Sequence, residues 1–104
     1  MREGRYWYER YLSVFLAPVT QAALRWLSVF ARDKTVPYAA FTAYLQTLGV
    51  TDPALQTNTW NALQQHGLAD AHGNMVNITR GGRAFLKYID GEWRPLEQDD
   101  PVPD

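Results

Sequence analysis

The sequence predicts a mainly α-helical fold with one small β-hairpin. Apolar residues recur at helical spacing in five segments, and prolines and glycines stand at the boundaries between them. Two short β-type segments flank a turn that contains glycine and asparagine. With 104 residues, 46% of them hydrophobic, the chain has enough apolar surface for one packed core. We therefore expect a single domain at residues 1–94 and a flexible acidic tail at 95–104.

An aromatic helix is predicted at the amino terminus, over residues 5–16. Three consecutive aromatic residues, at positions 6–8, cannot all point to one side of a helix. The face of the helix that packs on the domain core therefore cannot bury all three side chains. Tyrosine and tryptophan are enriched at the centres of protein interfaces. We therefore expect a homodimer that forms through Trp7, Tyr8, Tyr11 and Phe15. The alternative is a helix that wraps across its own domain with the tyrosine hydroxyls at the surface.

Proline positions define the starts of the next two helices. One is predicted to begin at Pro18, because proline is tolerated in the first turn of a helix but not in its interior. Asp33 and Lys34 close this helix, and its apolar stripe consists of Ala23, Leu24, Leu27, Phe30 and Ala31. Pro37 is expected at the first position of the following helix, which Gly49 ends.

A further helix is predicted over residues 53–66. Asp52 precedes it, and its carboxylate can accept a hydrogen bond from the amides of the first turn. Helical spacing assigns the buried face to Leu55, Thr59, Ala62, Leu63 and His66. The opposite face, which includes a partly exposed tryptophan, consists of Thr57, Trp60, Asn61 and Gln64.

The predicted hairpin pairs residues 68–71 with residues 75–78. The turn between them contains His72, Gly73 and Asn74, and glycine and asparagine tolerate the positive φ angle that a tight hairpin needs. Thr79 is a candidate cap for a last helix at 80–89, which Gly91 ends. Its inward-facing residues are predicted to be Phe85, Leu86 and Ile89.

Two segments carry a resemblance to a known family. Residues 63–68, Leu-Gln-Gln-His-Gly-Leu, enter the hairpin, and residues 76–86, Val-Asn-Ile-Thr-Arg-Gly-Gly-Arg-Ala-Phe-Leu, leave it. With the order of elements, they make residues 37–90 resemble bacterial winged helix-turn-helix regulators of the multiple-antibiotic-resistance and PadR-like groups. The predicted fold is therefore a winged helix-turn-helix with an extra N-terminal aromatic helix.

In those regulators the helix that matches residues 53–66 lies in the major groove of DNA, and the hairpin tip touches the flanking backbone. Asparagine and glutamine can bind adenine bidentately, and threonine can contact a thymine methyl group. By position, the resemblance implies base-reading roles for Gln56, Thr57, Asn58, Asn61 and Gln64. It also implies contacts from His72 and Asn74 at the hairpin tip.

The charge distribution departs from this expectation. Segment 35–79 has no lysine or arginine, although cations that neutralise phosphates supply most non-specific DNA affinity. The nearest cations that could neutralise phosphates are Arg80, Arg83 and Lys87, which share one face of the last predicted helix. The alternative is that they are ordinary surface residues that keep the protein soluble. The sequence therefore predicts a dimeric transcriptional regulator that binds duplex DNA. The alternative is an interaction domain that binds a protein and no DNA, through the neutral face around Trp60 or the aromatic N-terminal helix.

Catalytic and metal-binding patterns are missing from the sequence. The chain has no cysteine and only two histidines, His66 and His72, and the pair formed by Asp70 and His72 has too few ligands for a metal site. We expect no enzyme activity, no metal, no cofactor and no small-molecule ligand. No apolar stretch approaches the roughly 20 residues that span a bilayer, so we expect a cytoplasmic protein without membrane contact.

Overall fold

The computed structural model of the protein describes residues 14–90. Three antiparallel strands form one sheet in the order β1-β3-β2, and helices make up most of the rest. The elements in chain order are α1 Pro18–Phe30, β1 Val36–Pro37, α2 Tyr38–Thr47, α3 Pro53–Gln65, β2 Ala69–His72, β3 Met75–Ile78 and α4 Arg80–Ile89. The described part is therefore mainly α with a small sheet, and this order is compatible with a winged-helix layout.

Local chemistry explains where the helices begin, as the sequence predicts. Pro18 occupies the first turn of α1. The Asp52 carboxylate caps α3 by accepting a hydrogen bond from the Ala54 amide at 3.0 Å, and the Thr79 hydroxyl caps α4 by accepting one from the Gly82 amide at 3.0 Å. Gly49, with φ of +89°, follows α2 in the left-handed conformation that glycine adopts without strain.

Several predicted boundaries are wrong or lie outside the described residues. Residues 14–17 are not helical, and Ala17 is extended with ψ of 154°, so the predicted aromatic helix does not reach Leu16. Its remaining residues, the tail at 95–104 and Gly91 lie outside residues 14–90. Helix α1 ends at Phe30, before the charged pair that was expected to close it.

Strand β1 is absent from the sequence prediction. Val36 pairs with Val76 of β3, and the Tyr38 amide donates a hydrogen bond to the Asn74 carbonyl at 2.7 Å. The predicted hairpin thus supplies two strands of a three-stranded sheet in which β3 is central, and Pro37 precedes α2 instead of standing at its first position. The two-residue strand fixes the start of α2 against the hairpin turn.

One core lies between the sheet and the four helices of the described region. Its largest fully buried side chains are Phe41, Phe85, Leu24, Leu27, Leu45, Leu63, Leu68, Ile78 and Val76. The Ile78 amide donates to the Ala31 carbonyl at 3.0 Å, which fastens β3 to the end of α1. None of the helices within residues 14–90 is both long and apolar enough to cross a membrane.

Candidate nucleic-acid interface

The buried face of α3 differs from the predicted one. Trp60 and Gln56 are each 7% exposed and point inward with Leu63, whereas Leu55 is 53% exposed and His66 lies at the surface. The buried face of α3 is rotated about the helix axis, relative to the predicted face, by close to the angle between successive residues. Two of the predicted docking or base-reading side chains, Gln56 and Trp60, are therefore inside the domain.

Trp60 packs into an aromatic cluster with helix α2. Its ring meets Phe41 edge-on, with centroids 5.2 Å apart at 75°, and Tyr38 at 5.9 Å and 77°. Edge-to-face pairs of this kind stabilise a core beyond the area they bury. The prediction that Trp60 is partly exposed is wrong, because its ring packs in the core and holds α3 against α2.

Gln56 has a structural role as well. Its side-chain amide Nε2 donates a hydrogen bond to the Val50 carbonyl at 2.9 Å. A buried amide needs such a partner, and this one ties the first turn of α3 to the loop after α2. The Val50 amide in turn donates to the Leu45 carbonyl at 3.0 Å. In this structure the Gln56 side chain is therefore engaged inside the domain and does not belong to the exposed face of α3.

The exposed face of α3 is polar and carries no charge. Thr57, Asn61 and Gln64 are exposed, as predicted, and Asn58 joins them. Gln65 is also exposed on this face and was missed, although it lies four residues after Asn61 and so directly beside it on the helix. These side chains form one surface, here called the amide face: Thr57, Asn58, Asn61, Gln64 and Gln65.

The hairpin turn places the two predicted tip residues at the surface. His72 and Asn74 are exposed, and Gly73 between them has φ of +65°. His72 Nε2 lies 3.5 Å from Asp70 Oδ2, so a carboxylate accompanies this imidazole along β2. The Asn74 carbonyl accepts a hydrogen bond from the Tyr38 amide, and the Asn74 side chain is exposed at the tip.

The cations of α4 are divided between two locations. The Thr79 hydroxyl donates to the Gly67 carbonyl at 2.6 Å, which places exposed Arg80 beside the carboxyl end of α3. Arg83 and Lys87, by contrast, line a groove against helix α1. Of these three cations, Arg80 is therefore the one that does not line this groove.

Most of the predicted dimer residues lie outside the described part of the chain. Trp7, Tyr8 and Tyr11 lie outside residues 14–90, and Phe15 is 82% exposed just before α1.

Comparison of the chain with protein families, with curated proteins and with solved structures yields no match. The geometry of the described residues is therefore the basis for a functional proposal.

Proposed function

We propose that the protein is a winged-helix DNA-binding protein that acts as a dimeric transcriptional regulator. In this proposal α3 lies in the major groove and its amide face reads base edges, while His72 and Asn74 at the hairpin tip reach the flanking backbone. The observation that carries the proposal is the amide face itself. A polar, uncharged surface on the second of two helices joined by a tight turn suits hydrogen bonding to bases.

The connection between α2 and α3 supports a fixed recognition helix. Trp60 packs against Phe41 and Tyr38, and the Gln56 side chain bonds to the Val50 carbonyl. Packing and hydrogen bonding thus oppose rotation of α3 about its own axis. A rigid helix loses little conformational entropy on binding, which favours affinity for a given set of contacts.

Phosphate contacts in this proposal come from Arg80, at the start of α4. Arg80 stands at the amino end of α4, where the helix dipole adds a partial positive charge. The amide face has no cation of its own, so affinity depends on few phosphate contacts. We therefore expect a shallower salt dependence than that of strongly basic regulators.

Dimerisation draws support from the outer surface of α1. Val29 is 71% exposed and Phe30 is 49% exposed, next to half-buried Trp26. The Trp26 ring contacts Phe30 and also stacks on Tyr44 of α2, so the apolar patch of Val29 and Phe30 is anchored to the rest of the domain. A two-fold dimer would present two amide faces to a palindromic site.

The competing proposal is a protein-binding module. A shallow, mainly apolar groove between the amino ends of α1 and α3, lined in part by Val19, Val50 and Leu55, favours it. Trp60 has no part in this surface, because its ring is in the core. The test below separates the two proposals.

Fluorescence anisotropy with duplexes selected from a random pool tests DNA binding. We expect saturable binding at low salt that weakens as salt is raised from about 50 to 200 mM. Asn61→Ala should weaken binding to the selected site about 5- to 150-fold, since a bidentate base contact is worth about 1–3 kcal/mol. Gln46→Ala, which removes an exposed amide from α2, is the matched control and should change affinity less than about twofold.

Three outcomes would contradict DNA binding through the amide face. The first is no binding at low salt, and the second is binding that added salt leaves unchanged. The third is equal affinity of wild type and Asn61→Ala for the selected duplex. The first outcome favours the protein-binding module.

A further inference from the structure

Four of the six lysines and arginines within residues 14–90 converge on one groove between α1 and α4. The groove has a volume of about 210 Å³ and a mainly polar lining. Its polar side chains are Arg25, Ser28, Arg32, Arg83, Lys87 and Asp90. The two helices are separated by the 49 residues from 31 to 79, so the convergence is visible only in the folded chain.

The cations come from both helices and from the residue segment that follows α1. Arg25 lies on α1 and Arg32 lies two residues after its end, while Arg83 and Lys87 are four residues apart and share one side of α4. Leu24 and Leu27 are fully buried in the core and hold α1 in place. Two pairs of positive side chains therefore line opposite walls of one concave surface, where the potential is focused.

Asp90 fixes one of these cations. Arg25 donates to both carboxylate oxygens of Asp90, at 2.6 and 3.1 Å, which links α1 to the end of α4. The hydrogen bonds from Arg25 lower the pKa of Asp90 and raise the pKa of Arg25, so both groups stay charged at neutral pH. Among the side chains that line the groove, four are cationic and one, Asp90, is anionic.

From this arrangement we infer that the groove binds a phosphate group. Guanidinium groups donate paired hydrogen bonds that match the oxygens of phosphate, and a lysine adds a compact point charge. The Ser28 hydroxyl, which donates its proton to the Arg25 carbonyl at 2.7 Å, also lines the groove. The phosphate group belongs either to a small phosphorylated molecule or to a DNA backbone. No groove residue belongs to α3 or to the hairpin, so this site does not depend on the proposed base reading by the amide face.

Titration of the full ¹⁵N-labelled chain with sodium phosphate tests the site. Sodium chloride at equal ionic strength is the reference. We expect saturable amide shifts within residues 25–32 and 83–90. Arg32→Gln and Lys87→Gln should each weaken phosphate binding by at least about tenfold, because each removes a charged hydrogen-bond donor. Lys34→Gln removes a nearby cation that does not line this groove and should change affinity less than about twofold.

The source of the phosphate group is resolved by two additional titrations. If glycerol 3-phosphate binds, if the same variants weaken its binding, and if duplex DNA does not displace it, the ligand is a small phosphorylated molecule. Duplex that displaces inorganic phosphate identifies the DNA backbone. The inference is overturned if phosphate causes no saturable shift beyond the chloride reference. It is also overturned if Arg32→Gln and Lys87→Gln, with circular dichroism spectra like that of wild type, bind phosphate as well as Lys34→Gln does.

Discussion

Replacing Trp60 with alanine is expected to lower the free energy of unfolding by about 3–5 kcal/mol. The ring is 7% exposed and contacts both Phe41 and Tyr38, so its removal opens a cavity between α3 and α2. Domains of this size have a total stability of only about 5–15 kcal/mol. The loss therefore lowers the melting temperature by on the order of 20 °C. Urea denaturation followed by circular dichroism at 222 nm measures it.

Asn61→Ala is the matched control, because Asn61 follows Trp60 in α3 and is exposed. It should change the free energy of unfolding by about 0.5 kcal/mol or less. A Trp60→Ala protein that unfolds within about 1 kcal/mol of wild type would contradict the core position of the ring. It would also return Trp60 to consideration as part of a binding surface.

Gly82→Ala is the second change for which we expect a large effect. Alanine ordinarily stabilises a helix relative to glycine by up to about 1 kcal/mol. At position 82, however, an added Cβ would run into the Leu68 carbonyl oxygen and would lie 2.7 Å from Ile78 Cγ1. Because one obstacle is backbone, α4 must move away from the sheet. We expect a net loss of about 2 kcal/mol or more in the free energy of unfolding.

Arg80→Ala is the control for this change. Arg80 lies in the same first turn of α4 but is exposed, so we expect a change of about 0.5 kcal/mol or less. Thermal unfolding of both variants checks the difference. A Gly82→Ala protein at least as stable as wild type would show that α4 does not pack this closely on Leu68.

Local signals in the sequence were sufficient where a single residue determines the backbone. Pro18, Asp52 and Thr79 each begin a helix as predicted, because a cap or a proline acts on the turn beside it. Strand β1 could not be found in this way. It has two residues, and it exists because Val36 pairs with Val76 far along the chain. No local pattern distinguishes such a strand from a loop.

The face of α3 shows a different limit. Choosing the buried side by helical spacing favoured Leu55, because leucine is usually buried more often than glutamine. The structure reverses this, since the buried Gln56 amide is satisfied by Val50 and leaves Leu55 outside. Tertiary hydrogen bonding thus determined the rotation of the helix. The groove between α1 and α4 was likewise hidden, because its cations come from two distant segments.

The most direct test of the central claim is an amide chemical-shift titration of the full chain with a selected DNA duplex. The proposal predicts that the largest changes fall within residues 54–65 of α3 and residues 72–74 at the hairpin tip. A titration in which these amides do not move while the duplex binds elsewhere would contradict DNA recognition by the amide face. Changes confined to residues 25–32 and 83–90 would assign DNA to the phosphate groove instead.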